Sequence, residues 1–203
     1  MHLLKRIVIV LVLLIALLLV IAFFLPSKVH VERSIAVNAP AGNVYANIND
    51  LKNWSKWSPW EKLDLNMEKT YEGSATGSGA KMKWKSALKE VGSGSITISD
   101  SKTDEHVKYD ITIIDRGKAN AMIALAPETE GTRVNWSMEM DVGMNPVGRW
   151  MGLFMDQMMG GMFEKGLEDL KNASEAIQIP AQPAIEPMQE DSTTMDSTAV
   201  AAA

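Results

Sequence analysis

An uninterrupted apolar run limits the folds open to this chain more than any other feature of its sequence. Residues 7–25 (IVIVLVLLIALLLVIAFFL) contain no charge, glycine or proline. As an α-helix they would extend about 28 Å, close to the ~30 Å hydrocarbon core of a bilayer. Seventeen of them are Leu, Ile, Val or Phe, and at about −0.4 kcal/mol each they favour insertion by roughly 7 kcal/mol. The run therefore predicts a transmembrane anchor.

A cleaved signal peptide is the alternative interpretation of this run. The apolar region of a signal peptide spans about 7–15 residues and ends at a cleavage site made of small residues. Here Ala22 is followed by two phenylalanines, a leucine and Pro26, which do not form such a site. The chain also has no cysteine that could carry a lipid. The pattern favours an uncleaved anchor over residues 7–25.

Basic residues on the two sides of the anchor bear on its orientation. Lys5 and Arg6 precede it, and by the positive-inside rule they place residues 1–6 in the cytoplasm. Lys28 and Arg33 follow it and weaken this asymmetry. We expect a single-pass membrane protein that contacts the lipid bilayer through its anchor, with its domain in the periplasm or outside the cell.

Charge and composition exclude several classes of function. All 20 Lys and Arg residues lie at or before Lys171, whereas five of the 25 acidic residues follow it. The formal charge of −5 therefore belongs to the C-terminal end, and the rest of the chain has no net charge with which to attract nucleic acid. The absence of cysteine excludes disulfides, thiolate metal sites and a cysteine nucleophile. We predict no metal, no cofactor and no nucleic-acid partner.

The last 26 residues differ in composition from the rest of the chain. Residues 178–203 hold three of the eight prolines and four acidic residues, but no basic and no aromatic residue. Such a segment cannot bury enough apolar surface to offset its conformational entropy, so we predict a disordered tail. Between anchor and tail, residues 29–175 are long enough to build one hydrophobic core.

The order of patterns in this central region predicts a strand, short helices, several strands and a long helix. Apolar and polar side chains alternate over residues 29–37, and a helical spacing follows Pro40, with Asn38 as its cap. Next comes a tryptophan elbow, residues 53–60. Period-two runs then recur near residues 82–84, 96–98, 107–113 and 134–142. Glycine-containing turns separate these runs, so we expect an antiparallel sheet with one apolar face.

A long helix is predicted to begin at Asn145-Pro146 and to cover this sheet. Its apolar stripe recurs every three or four residues, at Val147, Met151, Phe154, Met158 and Met162. No other predicted element of the domain is long enough to cover the apolar face. A bent sheet leaves space beside such a helix. Gly160-Gly161 in its middle indicates either close packing against the sheet or a hinge.

Two groups of side chains each have more than one interpretation. Eight of the 14 methionines fall between residues 138 and 162. They could fill a core, form a pliable wall around apolar ligands, or bind Cu(I) through their thioethers. The three tryptophans of the elbow, Trp54, Trp57 and Trp60, are either a plug at one end of the core or the aromatic rim of a cavity.

Several segments of this pattern resemble one superfamily. They are Val31-Glu32-Arg33-Ser34-Ile35 with Asn38-Ala39-Pro40, Asn49-Asp50-Leu51 with the elbow, Gly92-Ser93-Gly94, and Phe163-Glu164-Lys165-Gly166-Leu167. Over residues 29–171 the chain resembles the START and birch-pollen-allergen superfamily, and more narrowly the membrane-anchored bacterial members of the SRPBCC group, labelled polyketide cyclase/dehydrase-like. The resemblance implies an α+β helix-grip fold, in which a curved antiparallel sheet of about seven strands wraps a long C-terminal helix.

The resemblance also implies an internal cavity that holds lipids, polyketides or other apolar molecules. We therefore expect a membrane-anchored module that binds a hydrophobic small molecule between the sheet and the C-terminal helix. The cavity candidates are apolar side chains of the elbow, the strands and the long helix: Trp57, Trp60, Trp84, Tyr109, Ile111, Trp136, Met138, Trp150, Met151, Phe154 and Met158.

Two other functions remain open at this stage. A cyclase or hydrolase needs titratable groups inside the cavity, and the few polar candidates are Tyr109, Arg133, Glu139, Arg149 and Asp156. We find no catalytic motif among them and assign no catalytic residue. A periplasmic adaptor without catalytic activity is the third possibility. The acidic run Glu61, Asp64 and Glu68 is predicted to be a solvated face.

Overall fold

The computed structural model describes residues 2–115 and 117–177. The predicted tail over residues 178–203 lies outside them. An N-terminal helix, a strand and three short helical segments come first: α1 (His2–Phe24), β1 (Lys28–Val37), α2 (Ala41–Ile48), a 3-10 helix (Leu51–Lys56) and α3 (Pro59–Leu63). Six strands and a long helix follow: β2 (Glu68–Gly73), β3 (Ala80–Lys85), β4 (Ser93–Lys102), β5 (His106–Ile113), β6 (Gly117–Glu128), β7 (Gly131–Asp141) and α4 (Pro146–Glu175).

The seven strands form one antiparallel sheet in the order β1-β7-β6-β5-β4-β3-β2. The first strand returns beside the last, so β1 and β2 are the two edges. A bulge between Ile98 and Asp100 shifts the register of β4 against β5, and bulges of this kind bend a sheet. With α4 on one face, this arrangement confirms the predicted α+β helix-grip fold.

Two strands carry no clear alternation in the sequence. β2 is an edge strand with five of its six residues exposed, and it contributes little to the core. β6 does alternate, because Ala119, Ala121, Ile123 and Leu125 are buried. Its outward residues are Lys118, Asn120, Met122, Ala124 and Ala126, so the outer face is apolar over its second half and the period-two signal is weak there.

The C-terminal half of α4 packs on the sheet. Phe163, Leu167 and Leu170 are fully buried there. A Cβ atom on Gly166 would lie 2.7 Å from the Trp136 ring, and one on Gly160 would lie 2.1 Å from Nη2 of Arg33. Gly160 and Gly166 therefore mark close approaches of the helix to the sheet, which supports packing at Gly160, whereas a Cβ atom on Gly161 would meet nothing within 4 Å.

The N-terminal half of α4 is separated from the sheet by a cavity, as expected for a bent sheet. Val147, Met151, Phe154 and Met158, the first part of the predicted stripe, are between 49% and 65% exposed. Met151 and Met158 line the cavity, whereas Val147 and Phe154 do not. The predicted start of the helix is correct, since Oδ1 of Asn145 accepts hydrogen bonds from the amides of Val147 and Gly148.

The cap of α2 also differs from the prediction. Pro40, rather than Asn38, occupies the N-cap position, and its side chain makes no capping hydrogen bond. The amide of Asn38 instead donates to Oε1 of Glu175 at the end of α4, over 2.8 Å. The asparagine thus joins the turn after β1 to the end of the covering helix.

Helix α1 lies against the beginning of α4. It is long and apolar enough to cross a membrane, a property that it shares with signal sequences. Nη1 of Arg149 donates to the carbonyl oxygens of Ala22 and Phe23 over 3.2 and 2.9 Å, which are among the last carbonyls of α1 and lack partners within the helix. Nε1 of Trp150 donates to the Leu18 carbonyl over 3.2 Å. The two helices are therefore joined by hydrogen bonds as well as by apolar contact.

Candidate functional site

A cavity of about 640 Å³ lies between the inner face of the sheet and the N-terminal half of α4. This volume falls within the range of small-molecule sites in proteins, roughly 300–1,000 Å³. The sheet supplies Met82, Trp84, Ile96, Ile111, Ile113, Ala119, Ala121, Trp136, Met138 and Met140. The helix supplies Gly148, Met151, Met155, Met158 and Met159. Trp54, Ser58, Trp60, Glu61 and Met67 come from the elbow, α3 and the following turn.

The wall also includes the loop between β3 and β4 and the turn that joins β7 to α4. The lining residues are Glu90 and Val91 in the first connection, Asp141 at the end of β7, and Val142 and Asn145 in the second connection. The second connection is next to the end of α1, because the Val142 amide donates to the Ser27 carbonyl over 2.9 Å. The cavity thus extends towards the apolar N-terminal helix.

Seven of the eleven predicted cavity residues line this space. They are Trp60, Trp84, Ile111, Trp136, Met138, Met151 and Met158. The sheet residues among them face inward because they follow the period-two alternation of their strands. The prediction that they bind a ligand is not tested by their position alone.

Two of the other four predicted cavity residues belong to the packed core. Trp57 is fully buried, and its Nε1 donates to the Asn47 carbonyl over 3.2 Å. The Tyr109 hydroxyl donates to the Ile48 carbonyl over 2.8 Å, and burial raises its pKa. Both partners are in α2, which covers this part of the sheet, so neither side chain reaches the cavity.

The last two, Trp150 and Phe154, point away from the cavity. Each precedes a lining methionine, Met151 or Met155, by one position. Helical spacing alone does not account for this, because Phe154 lies three residues after Met151 and four before Met158, and both methionines line the cavity. Trp150 turns to α1, and Phe154 is 57% exposed.

The elbow tryptophans serve both of the roles considered for them. Trp57 is a core residue, whereas Trp54 and Trp60 contribute to the cavity wall. Trp136 connects the two regions: its ring centroid is 5.4 Å from that of Trp57 and 5.8 Å from that of Trp60. Trp136 also stacks on Phe163 with a centroid distance of 4.2 Å. This aromatic cluster separates the packed core from the cavity.

Most of the clustered methionines face the cavity. Of the eight between residues 138 and 162, those in the wall are Met138, Met140, Met151, Met155, Met158 and Met159. Methionine has flexible, polarizable side chains that adapt to irregular apolar shapes. Their placement supports a pliable wall, with methionine on the sheet opposite methionine on the helix.

The polar candidates for catalysis lie outside the lining. Arg133 pairs with Glu128, Arg149 binds the end of α1, Tyr109 is in the core, Glu139 is exposed, and Asp156 pairs with Arg33. The Arg33 guanidinium donates to both carboxylate oxygens of Asp156 and holds the pKa of that carboxyl below its usual value. These five residues act as structural or surface groups in this fold.

Five polar residues of the lining were not among the predicted cavity residues: Ser58, Glu61, Glu90, Asp141 and Asn145. Glu61 was expected on a solvated face, but its side chain is only 5% exposed, so that expectation is wrong. Of the other two acids in the run, Asp64 is half-buried and Glu68 is exposed. A signal for Glu61 did exist, since it follows the buried Trp57 by four residues and a helical spacing would put both on one side.

Comparison with known proteins agrees with this geometry. A family model described as polyketide cyclase / dehydrase and lipid transport matches residues 28–175. No curated protein matches the chain in sequence.

Solved structures with the same fold are distant in sequence. SA2116, a protein of unknown function from Staphylococcus aureus, shares 16% identity over 73% of this chain and 94% of its own, with a TM-score of 0.57. The di-domain ARO/CYC StfQ from the steffimycin biosynthetic pathway shares 10% identity over 73% of this chain, with a TM-score of 0.55. DynU16 from the dynemicin biosynthetic locus shares 14% sequence identity over 72% of this chain, with a TM-score of 0.50. This chain spans about half the length of each of these two proteins, 51% of StfQ and 47% of DynU16.

The family match covers the whole region from β1 to the end of α4, which is well over half of the chain. It confirms the SRPBCC resemblance, and the structural neighbours confirm the fold. The chain therefore belongs to the polyketide cyclase/dehydrase and lipid transport family.

Proposed function

We propose that this protein is a membrane-anchored binding module that holds one apolar molecule in the cavity between the sheet and α4. The observation that carries the proposal is the cavity itself: about 640 Å³ of space with walls made mainly of methionine, tryptophan, isoleucine and alanine. Moving apolar surface from water to such a wall is worth about 0.8 kcal/mol for each buried CH₂ group. Long or polycyclic apolar molecules gain most from such a site.

The position of α1 supports the membrane part of the proposal. Only Leu25, Pro26 and Ser27 separate α1 from β1, so an anchored domain would sit directly at the bilayer surface. Trp150 contacts α1 at Leu18, within the apolar run, and exposed apolar residues of α4 lie nearby in sequence at Val147, Met151 and Phe154. A lipid could then pass between the bilayer and the cavity without crossing water.

The family description and one structural neighbour bear on the class of ligand. Lipid transport is part of the family description, and StfQ is an ARO/CYC protein of the steffimycin biosynthetic pathway. We favour binding over cyclisation because none of the five polar candidates named from the sequence lines the cavity, and Glu61, the buried carboxylate in its wall, is already paired with Lys69. The class of ligand that we propose is therefore a lipid or another apolar metabolite that is held without chemical conversion.

Native mass spectrometry of the full chain tests this function. The chain is released from its membrane in polymer-bounded lipid discs, without detergent, and its mass is measured before and after mild activation. We expect one apolar molecule per chain, retained after bulk lipid is lost, and a protein mass that includes residues 7–25. A chain that carries no such molecule, or a stoichiometric protein partner in its place, would contradict binding and favour an adaptor. A mature chain that begins near Lys28 would contradict the anchor.

A further inference from the structure

Glu61 is a buried carboxylate in the wall of a mainly apolar cavity, whose other polar lining residues are Ser58, Glu90, Asp141 and Asn145. It lies in the first turn of α3, and its side chain is 5% exposed. One oxygen, Oε2, accepts a hydrogen bond from Nζ of Lys69 in β2. The other oxygen, Oε1, is shielded from water and has no hydrogen-bond partner among the described residues. Glu61 therefore retains the capacity to accept at least one more hydrogen bond.

The burial of the Glu61 carboxylate with one oxygen unbonded lowers the stability of the fold. Burying a carboxylate is unfavourable unless its charge is paired and its oxygens accept hydrogen bonds. Lys69 satisfies the first condition, and Oε1 leaves the second unfulfilled. A glutamine or an apolar residue at this position would avoid the burial of a charge. An acceptor kept in the wall at such a cost needs a role, and a donor on a bound molecule would supply one.

Trp54 presents the complementary group in the same wall. Its side chain is buried against Trp57 and Tyr109, with ring centroids 4.9 and 5.1 Å away. Its Nε1 is likewise shielded from water and has no hydrogen-bond partner among the described residues. The indole of Trp57, by contrast, donates to a backbone carbonyl. Two consecutive helical segments thus bring one unpaired acceptor and one unpaired donor to the same cavity.

We propose that Glu61 and Trp54 form a polar anchor that selects apolar molecules with a hydroxyl group. The inference rests on the proposed function, and it names the ligand class that the same cavity would take. A hydroxyl group donates one hydrogen bond and accepts others, so one head group carries both the donor that Oε1 of Glu61 lacks and the acceptor that Nε1 of Trp54 lacks. Both atoms are shielded from water in this structure, so binding requires neighbouring side chains to shift, and methionines, which are flexible, make up much of the lining.

The charge of the site distinguishes a hydroxyl group from other head groups. An ether or an alkane has no proton to donate to Oε1. A carboxylate on the ligand would place a second negative charge beside Glu61, and like charges that are desolvated together are strongly unfavourable. Lys69 already pairs with Glu61, so this ion pair by itself carries no net charge that would attract a cationic head group. The neutral hydroxyl is the head group that fits both atoms.

A competition among matched probes tests this selectivity in the full chain. The protein is placed in phosphatidylcholine nanodiscs that contain tetradecanol, its methyl ether and tetradecanoic acid at equal mole fractions, and the retained probe is identified by native mass spectrometry. We expect the alcohol to be retained about ten- to a hundred-fold more than the ether, because a hydrogen bond to a charged group is involved. The acid should be retained less than the alcohol.

Two variants and one control assign the selectivity to the two residues. Glu61→Gln should reduce the preference for alcohol over ether to less than about threefold, since the charged acceptor is lost. Trp54→Phe keeps the ring and removes the donor, and it should weaken retention of the alcohol by about two- to ten-fold. Glu72→Gln makes the same substitution in a more exposed ion pair, with Lys83, outside this cavity, and the preference of this variant for alcohol over ether should equal that of the unmodified chain.

The outcomes separate this inference from the proposed function. Equal retention of alcohol and ether by the unmodified chain, or a preference for the acid, overturns the polar anchor and leaves apolar binding intact. A preference for alcohol that survives Glu61→Gln also overturns it. Failure to retain any probe contradicts both the proposed function and the polar anchor formed by Glu61 and Trp54. Because the comparison of probes needs only the unmodified chain, an unstable variant does not remove the test.

Discussion

The double variant Ala119→Phe/Ala121→Phe should retain less than about a tenth of the apolar molecule that the unmodified chain holds. Both alanines lie on the inner face of β6 and line the cavity opposite the methionines of α4. Two phenylalanine side chains at these positions would occupy the space that we assign to the ligand. Added apolar side chains fill this existing volume, so we expect the free energy of unfolding to stay within about 1 kcal/mol of its original value. Native mass spectrometry of the full chain measures the retained molecule.

A matched variant on the other face of the same strand is the control. Ala124 and Ala126 alternate with the inner residues and point outward, where Ala126 is exposed. Ala124→Phe/Ala126→Phe adds the same two side chains to β6 without entering the cavity, and it should retain the molecule fully. Undiminished retention in the inner variant, with its fold intact, would show that the bound molecule occupies another place.

Phe163→Ala should lower the free energy of unfolding by about 3–5 kcal/mol, the usual cost of truncating a buried phenylalanine. Phe163 is fully buried, stacks on Trp136 and contacts Trp60 with its ring edge, at a centroid distance of 6.1 Å. It is the point at which α4 joins the aromatic cluster between core and cavity. Guanidinium unfolding of the full chain in micelles, followed by tryptophan fluorescence, measures the change.

Phe154→Ala provides the comparison on the same helix. Phe154 is 57% exposed and lies outside the cavity lining, so its removal should change the free energy of unfolding by no more than about 0.5 kcal/mol. Similar losses in both variants would contradict the division of α4 into a packed C-terminal half and an N-terminal half that borders the cavity.

The sequence alone was enough to predict those structural elements that depend on the pattern of neighbouring residues. The apolar run predicted α1, the alternation at residues 29–37 predicted β1, and Asn145-Pro146 marked the start of α4. Each of these follows from a property of neighbouring residues: a long uncharged stretch, a period of two, or a capping side chain before a proline. The order of these elements was also sufficient for the fold class, because one apolar sheet face needs one long cover.

Features that depend on which element covers which surface could not be predicted. The stripe over residues 147–158 is apolar, but whether it packs or borders a cavity depends on the curvature of the sheet. Tyr109 and Ile111 both face inward from β5, yet α2 covers Tyr109 and leaves Ile111 in the cavity wall. The burial of Glu61 depends on Lys69, which reaches it from the neighbouring β2. Such contacts join residues whose spacing in the sequence follows no local period.

An experimental density map of the full chain in a lipid nanodisc would test the central claim most directly. We expect an elongated apolar density between Trp84 and Trp136 on the sheet and Met155 on α4, with the side chains of the two layers held apart around it. A map in which the methionines of α4 interdigitate with the sheet along its whole length, leaving room for only a few water molecules, would contradict the proposed function.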